Sequence, residues 1–209
     1  MSLATWLAFF AASWAISFSP GPGAISAMAS GLKYGFRRGY WTTAGLLIGI
    51  LIQFLVVAMG LGALLAASET AFSIVKWIGV GYLIYLGWKQ IRTDAAPVPV
   101  ETQGNAPFRA RDLILHGCLV NVTNPKGTIF LLAVVPQFLT LSEPLAPQYA
   151  ILAATMCLTD LVAMGCYTSL ASRLLKVLRQ PRHVRWLNRG FGALFILAGT
   201  VLASFSQQK

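Results

Sequence analysis

Apolar residues fill six long stretches of this chain, roughly Leu3–Leu32, Tyr40–Ala66, Ala71–Ile91, Leu113–Leu139, Ala146–Ser172 and Trp186–Phe205. A bilayer core needs about 20 consecutive, mostly apolar residues in a helix. The runs therefore predict an all-α polytopic membrane protein with six transmembrane helices. The first run exceeds one span because Ser19-Pro20-Gly21-Pro22-Gly23 interrupts it. Met1-Ser2 supplies no basic side chain ahead of that run, and Pro-Gly is no ordinary cleavage context, so it reads as a retained span and not a signal peptide.

The fourth run carries a second interruption, Asn121-Val122-Thr123-Asn124-Pro125-Lys126-Gly127. Proline removes a backbone hydrogen bond that lipid cannot replace. A lysine near the bilayer centre costs at least about 2.5 kcal/mol. Helices one and four are thus expected to be broken, at Pro20 and Pro22 and at Pro125. One such break in each half of a chain points to a transporter's binding site.

The charged loops set the topology. Lys33, Arg37 and Arg38 follow the first run; Lys89, Arg92, Arg109 and Arg111 flank the loop after the third; Arg173, Lys176, Arg179, Arg182, Arg185 and Arg189 follow the fifth. The loops after runs two and four hold Glu69 and Glu143 instead. Basic loops stay in the cytoplasm, which places both termini outside. Thr93–Phe108, rich in Pro, Ala and polar residues, reads as a flexible cytoplasmic linker. The expected organisation is a first three-span repeat over 1–92, a linker over 93–112 and a second repeat over 113–209. Pro20 answers Pro125, and Gly79-Val80-Gly81-Tyr82-Leu83 answers Gly190-Phe191-Gly192-Ala193-Leu194. Three spans per half give the second half the opposite orientation, the inverted-repeat plan of many secondary transporters.

Composition narrows the function classes. The 209 residues are 56% hydrophobic and 11% charged, which excludes disorder and argues against an ordinary soluble domain. The net charge of +10 would raise nucleic acid as a partner, but it sits in short inter-span loops and no recognition motif accompanies it. Cys118, Cys157 and Cys166 lie in apolar runs without metal-type spacing, so no metal and no cofactor are expected.

A broken helix exposes N–H groups at the start of its next segment, and that end attracts carboxylates. Gly21, Pro22 and Gly23 let a ligand approach such a backbone closely. Asn124 can satisfy freed backbone groups or touch a ligand. Asn121 shares its stripe with Gly117, Asn124 and Thr128 at helical spacing, and Gln53 shares another with Thr42, Gly45 and Gly49. Lys126 and Asp160 are the charges well inside spans, and such residues are functional candidates. Lys126 suits an anion-facing role. Asp160, with Tyr167 on the same face of span five, suits a substrate ammonium or a proton, so that the two ligands compete for one carboxylate.

Ser19-Pro20-Gly21-Pro22-Gly23, Asn124-Pro125-Lys126 and Pro136-Gln137-Phe138, in this order and spacing, resemble the lysine-exporter family of bacterial amino-acid exporters, most nearly its homoserine/threonine-exporter branch. Gly79 to Trp88 resembles its third-span motif, Asp160 with Tyr167 its fifth-span Asp and Tyr, and Arg185-Trp186-Leu187-Asn188-Arg189 the start of its last span. The resemblance implies a six-span inner-membrane exporter of small amino acids, driven by protons and assembled as a homodimer. Ile50 stands where many members of that branch carry an acid, which places the burden on Asp160. Efflux of a metal or inorganic ion is the alternative within transport; it calls for clustered carboxylates, His or thiolates. A non-transport membrane scaffold does not call for costly mid-membrane charges. An enzyme would call for paired carboxylates, a triad or a metal motif, none of which the chain presents.

Overall fold

A computed structural model of the protein describes residues 1–92, 108–171 and 180–204. Most of the expected linker, the basic positions Arg173, Lys176 and Arg179, and Lys209 lie outside the described residues. The helices are α1 (Leu3–Phe18), α2 (Pro22–Gly39), α3 (Trp41–Ala67), α4 (Glu69–Arg92), α5 (Ala110–Val122), α6 (Pro125–Val134), α7 (Leu145–Ser169) and α8 (Pro181–Ser204). A 3-10 turn, Val135–Phe138, extends α6, and no strand occurs among the described residues.

The apolar runs mark where lipid lies, and the helices extend past them into polar ends. The last helix begins at Pro181, not at Trp186, and takes in Arg182 and Arg185. Helices α3, over Trp41–Leu61, and α7 are each long and apolar enough to cross a membrane alone. Two further spans qualify when α1–α2 and α5–α6 are each taken as one span bent by 55°. Helices α4 and α8, 24 residues each, are of spanning length.

Both bends have a chemical cause. Pro20 lies in the gap between α1 and α2, and Pro22 and Pro125 open the resumed helices, where a missing N–H costs nothing. Glycines then bring the helices together. An added Cβ on Gly45 would stand 2.0 Å from the Ile114 carbonyl oxygen, and one on Gly117 2.3 Å from that of Thr42, so α3 and α5 touch backbone to backbone. Gly87 and Gly192 do the same for α4 and α8: a Cβ on either would stand 2.5 Å from the other's carbonyl oxygen.

The glycines of the two matched motifs, Gly79–Leu83 and Gly190–Leu194, do not contact one another. Gly192 meets Gly87, whereas a Cβ on Gly81 or Gly190 would meet open space. The spacing that separates Pro20 from Pro125 also separates Gly87 from Gly192.

The contacts fix the helix directions. Gly87 meets Gly192 and Ile196 while Gly199 meets Ile84 and Val80, so α4 and α8 are antiparallel. Gly45 meets Ile114 and Gly49 meets Asn121, so α3 and α5 are parallel. Trp6 donates to Thr155 and Tyr167 to Phe18, so α1 and α7 are parallel. At one end the N-terminal ammonium pairs with Glu143. At another, Arg38 and Tyr34 stack on Phe108, joining the end of α2 to the start of the second half.

Phe9, Phe54, Leu83, Phe130, Met156 and Phe195 share one buried cluster, while Met28, Leu46, Met164 and Tyr167 share another. Large apolar side chains also cover the outside: Leu55, Met59 and Ile78 are each more than 60% exposed. An apolar exterior of this kind suits lipid as solvent.

Candidate functional site

A cavity of about 60 Å3 opens where the two helix breaks meet. That is well above the roughly 10–15 Å3 a cavity needs to admit a water. Of the residues singled out from the sequence, Gly21, Gly23, Asn121, Asn124, Lys126 and Asp160 line it. Pro22, Gln53 and Tyr167 do not.

The break between α1 and α2 contributes backbone. Gly21 is the N-cap of α2 in an extended conformation, and no side chain caps that end. Pro22 has no N–H to offer, which leaves those of Gly23 and Ala24 in the uncapped first turn, at the cavity wall. A Cβ on Gly21 would come no nearer than 3.9 Å to any neighbour, so this part of the backbone is open to a ligand.

The break between α5 and α6 is built differently. Asn124 is the N-cap of α6, and its Oδ1 accepts from the Lys126 N–H at 3.1 Å. The Asn121 Nδ2 donates to the Leu46 carbonyl at 2.7 Å, which ties α5 to α3. The Lys126 ammonium reaches across to the other break and donates to the Ser19 hydroxyl at 2.5 Å. It also lies 5.9 Å from the centre of the Phe195 ring.

Asp160 is 8% exposed, on the cavity wall supplied by α7. Ser17, which donates to Thr159 at 3.1 Å, stands next to its carboxyl group. Asp160 and Lys126 share the cavity without forming an ion pair. Each charge therefore remains available to a ligand that brings the opposite one.

Gln53 and Tyr167 sit behind the cavity, on the breaks themselves. The Gln53 Nε2 contacts the carbonyls of Asn121 and Asn124 at 2.7 and 3.1 Å and the Thr128 hydroxyl at 2.8 Å. The Tyr167 hydroxyl donates to the Phe18 carbonyl at 2.7 Å. The Gln53 Nε2 and the Tyr167 hydroxyl thus serve backbone groups that the breaks set free, while the buried Gln53 Oε1 makes no hydrogen bond and lies beside Gly127 of the cavity wall.

The remaining wall was not singled out from the sequence. Met156 and Met164, one turn before and after Asp160, line the cavity with Leu46, Ile50 and Ile16, and Ser17 and Ser19 add hydroxyls. Helical spacing from Asp160 could have flagged the methionines. Nothing local distinguishes Leu46 or Ile50 from other apolar residues of α3. Among the described residues, no three His, Cys, Asp or Glu side chains gather where they could hold a metal.

The model of the LysE type translocator family matches residues 14–206. The chain belongs to this family. It is similar to the homoserine/homoserine lactone efflux protein of Salmonella typhimurium, 39% identical over 204 residues, covering 98% of each chain. It is also similar to an uncharacterized membrane protein of Vibrio cholerae, 36% identical over 98% of each chain. A leucine efflux protein of an Enterobacter species is 25% identical over 88% of each. No solved structure matches the chain. The matched residues reach from α1 into the last helix, so both breaks, Lys126 and Asp160 fall within the translocator family's own extent.

Proposed function

We propose that the chain is a secondary active exporter of small amino acids in the bacterial inner membrane, driven by proton entry. The observation that carries this reading is the cavity between the two breaks. It brings together one cation, one carboxyl group and an uncapped helix start. A substrate carboxylate would meet Lys126 and the N–H groups of Gly23 and Ala24. Its ammonium would meet Asp160. The apolar faces of Leu46, Ile50, Met156 and Met164 would receive a short side chain. Relatives named for homoserine and leucine efflux fit that chemistry.

Asp160 carries either a proton or the substrate ammonium, and this competition couples export to proton entry. The absence of a Lys126–Asp160 ion pair supports it, because an ion pair would have locked the carboxylate in its charged form.

The helices form six spans in two inverted repeats, 1–92 and 113–209 joined by a cytoplasmic linker, with both termini outside. Three contacts support this arrangement. Spans two and four (α3 and α5) are parallel and spans three and six (α4 and α8) antiparallel, as alternate crossing requires. Gly87 and Gly192 contact each other reciprocally, as equivalent residues on a two-fold axis do. Glu143 of the acidic loop meets the N-terminus, while Arg38 of a basic loop meets Phe108 beside another.

Efflux from proteoliposomes, over a panel of amino acids with and without a proton gradient, tests the function. Gradient-dependent export of homoserine or leucine is expected. Export of a divalent cation with no amino-acid flux would overturn the assignment. A cysteine placed at Thr102 should resist an impermeant thiol reagent added outside intact cells; labelling from outside would overturn the topology.

A further inference from the structure

We propose that Gln53 and Tyr167 are positioning residues, each holding the helix break of the other half, and that the Gln53 clamp is permanent while the Tyr167 clamp opens during transport. The inference builds on the reading of the cavity as an amino-acid site.

The two residues occupy matching places. Gln53 lies on α3, the second long helix of the first half, and holds the break between α5 and α6. Tyr167 lies on α7, its counterpart in the second half, and holds the break between α1 and α2. Both side chains are buried, at 4% and 6% exposure. Neither is among the residues that line the cavity, although the unpartnered Gln53 Oε1 lies beside Gly127 of its wall.

The clamps differ in strength. The Gln53 amide nitrogen sits within 3.5 Å of four acceptors: the carbonyls of Asn121, Val122 and Asn124 and the Thr128 hydroxyl. Gly127 presses against the same amide, since a Cβ there would stand 2.9 Å from Gln53 Oε1. That break is also capped by Asn124. The two Gln53 amide hydrogens are shared among these acceptors, and loosening them would leave buried polar groups unpaired, at a cost.

The other break has the Tyr167 bond, the Ser17–Thr159 bond one residue before Phe18, no cap on α2, and the bond from Lys126 to Ser19. A substrate carboxylate competing for Lys126 releases Ser19. The phenol then holds the Phe18 carbonyl beside the Ser17–Thr159 bond, and breaking such neutral hydrogen bonds is a small step. Binding thereby unlocks the α1–α2 break while the α5–α6 break, which carries Lys126, keeps its shape.

The test uses the full chain in lipid nanodiscs and proteoliposomes, with homoserine and leucine as probes. Gln53→Met keeps the length and removes the donor. It should speed hydrogen exchange over 121–128 and raise the KM for efflux about tenfold, the size expected for losing a charge-positioning hydrogen bond. Tyr167→Phe should speed exchange over 16–24 only, leave KM within about twofold and change the maximal rate by about threefold or more, the mark of an altered gating step. Equal KM increases in both variants, or unchanged exchange at both breaks, would overturn the proposal. If Gln53→Met fails to insert, Thr128→Val removes one acceptor and should give a smaller exchange increase over 121–128; no increase counts against the clamp. If exchange responds as expected while the unmodified protein exports neither probe, the amino-acid reading fails and the clamps stand.

Discussion

The two broken spans bend by the same 55°, yet they reach that angle by opposite means. The α1–α2 break is made of Ser, Pro and Gly and leaves its helix start bare. The α5–α6 break has its start capped by Asn124 and its carbonyls held by Gln53. In the first, backbone is open to a ligand. In the second, backbone is satisfied by side chains, and the break presents a charged side chain, Lys126, to the cavity. Matching geometry in two halves of a chain thus hides a division between an open jaw and a fixed one.

Asp160→Asn should have the largest effect, because it removes the carboxylate that the proposed function makes the shared site of proton and substrate ammonium. It keeps size and hydrogen bonding, and proton-driven efflux should disappear. Full gradient-dependent efflux by that variant would move the proton path elsewhere and leave the two breaks without a shared partner. Gly21→Leu comes next. The nearest atom to a Cβ there is Lys126 Cδ at 3.9 Å, so a larger side chain fits into the cavity and fills it. Transport should be abolished while insertion and thermal stability stay near those of the unmodified chain. A normal efflux rate would show that the open jaw is not where substrate goes.

Gly127→Ala probes the fixed jaw and should behave in reverse. Its Cβ would collide with Gln53 Oε1 at 2.9 Å, and overpacking of this kind costs about 1–3 kcal/mol. A lowered melting temperature is expected. If Gly127→Ala melts normally and Gly21→Leu is the unstable one, the contrast between the jaws is the wrong way round. Asn124→Ala should show the smallest effect, about 0.5–2 kcal/mol from the lost cap. It should also lower the affinity for substrate modestly by loosening the turn that carries Lys126. The first break has no cap to lose, so no equivalent substitution exists there.

Both breaks were legible in the sequence because proline and glycine act locally: a missing N–H and a missing Cβ have the same consequence wherever they occur. Lys126 and Asp160 were legible for a related reason, since a charge inside an apolar run stands out against its neighbours. Gln53 and Tyr167 were visible as polar residues within spans, but their use was not. Whether a buried amide meets a substrate or a neighbouring carbonyl depends on which helix lies opposite. Leu46 gave no signal at all, because apolar residues facing a cavity and apolar residues facing lipid look alike along a chain.

The sequence by itself determined the helical membrane character, the sites of the two breaks and the alternation of basic and acidic loops. Each follows from short-range chemistry: hydropathy over about twenty residues, backbone donors lost to proline, and charges excluded from lipid. Only the tertiary structure decided that the two breaks face one cavity, that Lys126 bonds to Ser19 and not to Asp160, and that Gly87 packs on Gly192. Those are contacts between residues far apart in the chain, and they depend on helix direction and on close backbone approach, which no local pattern of residues encodes.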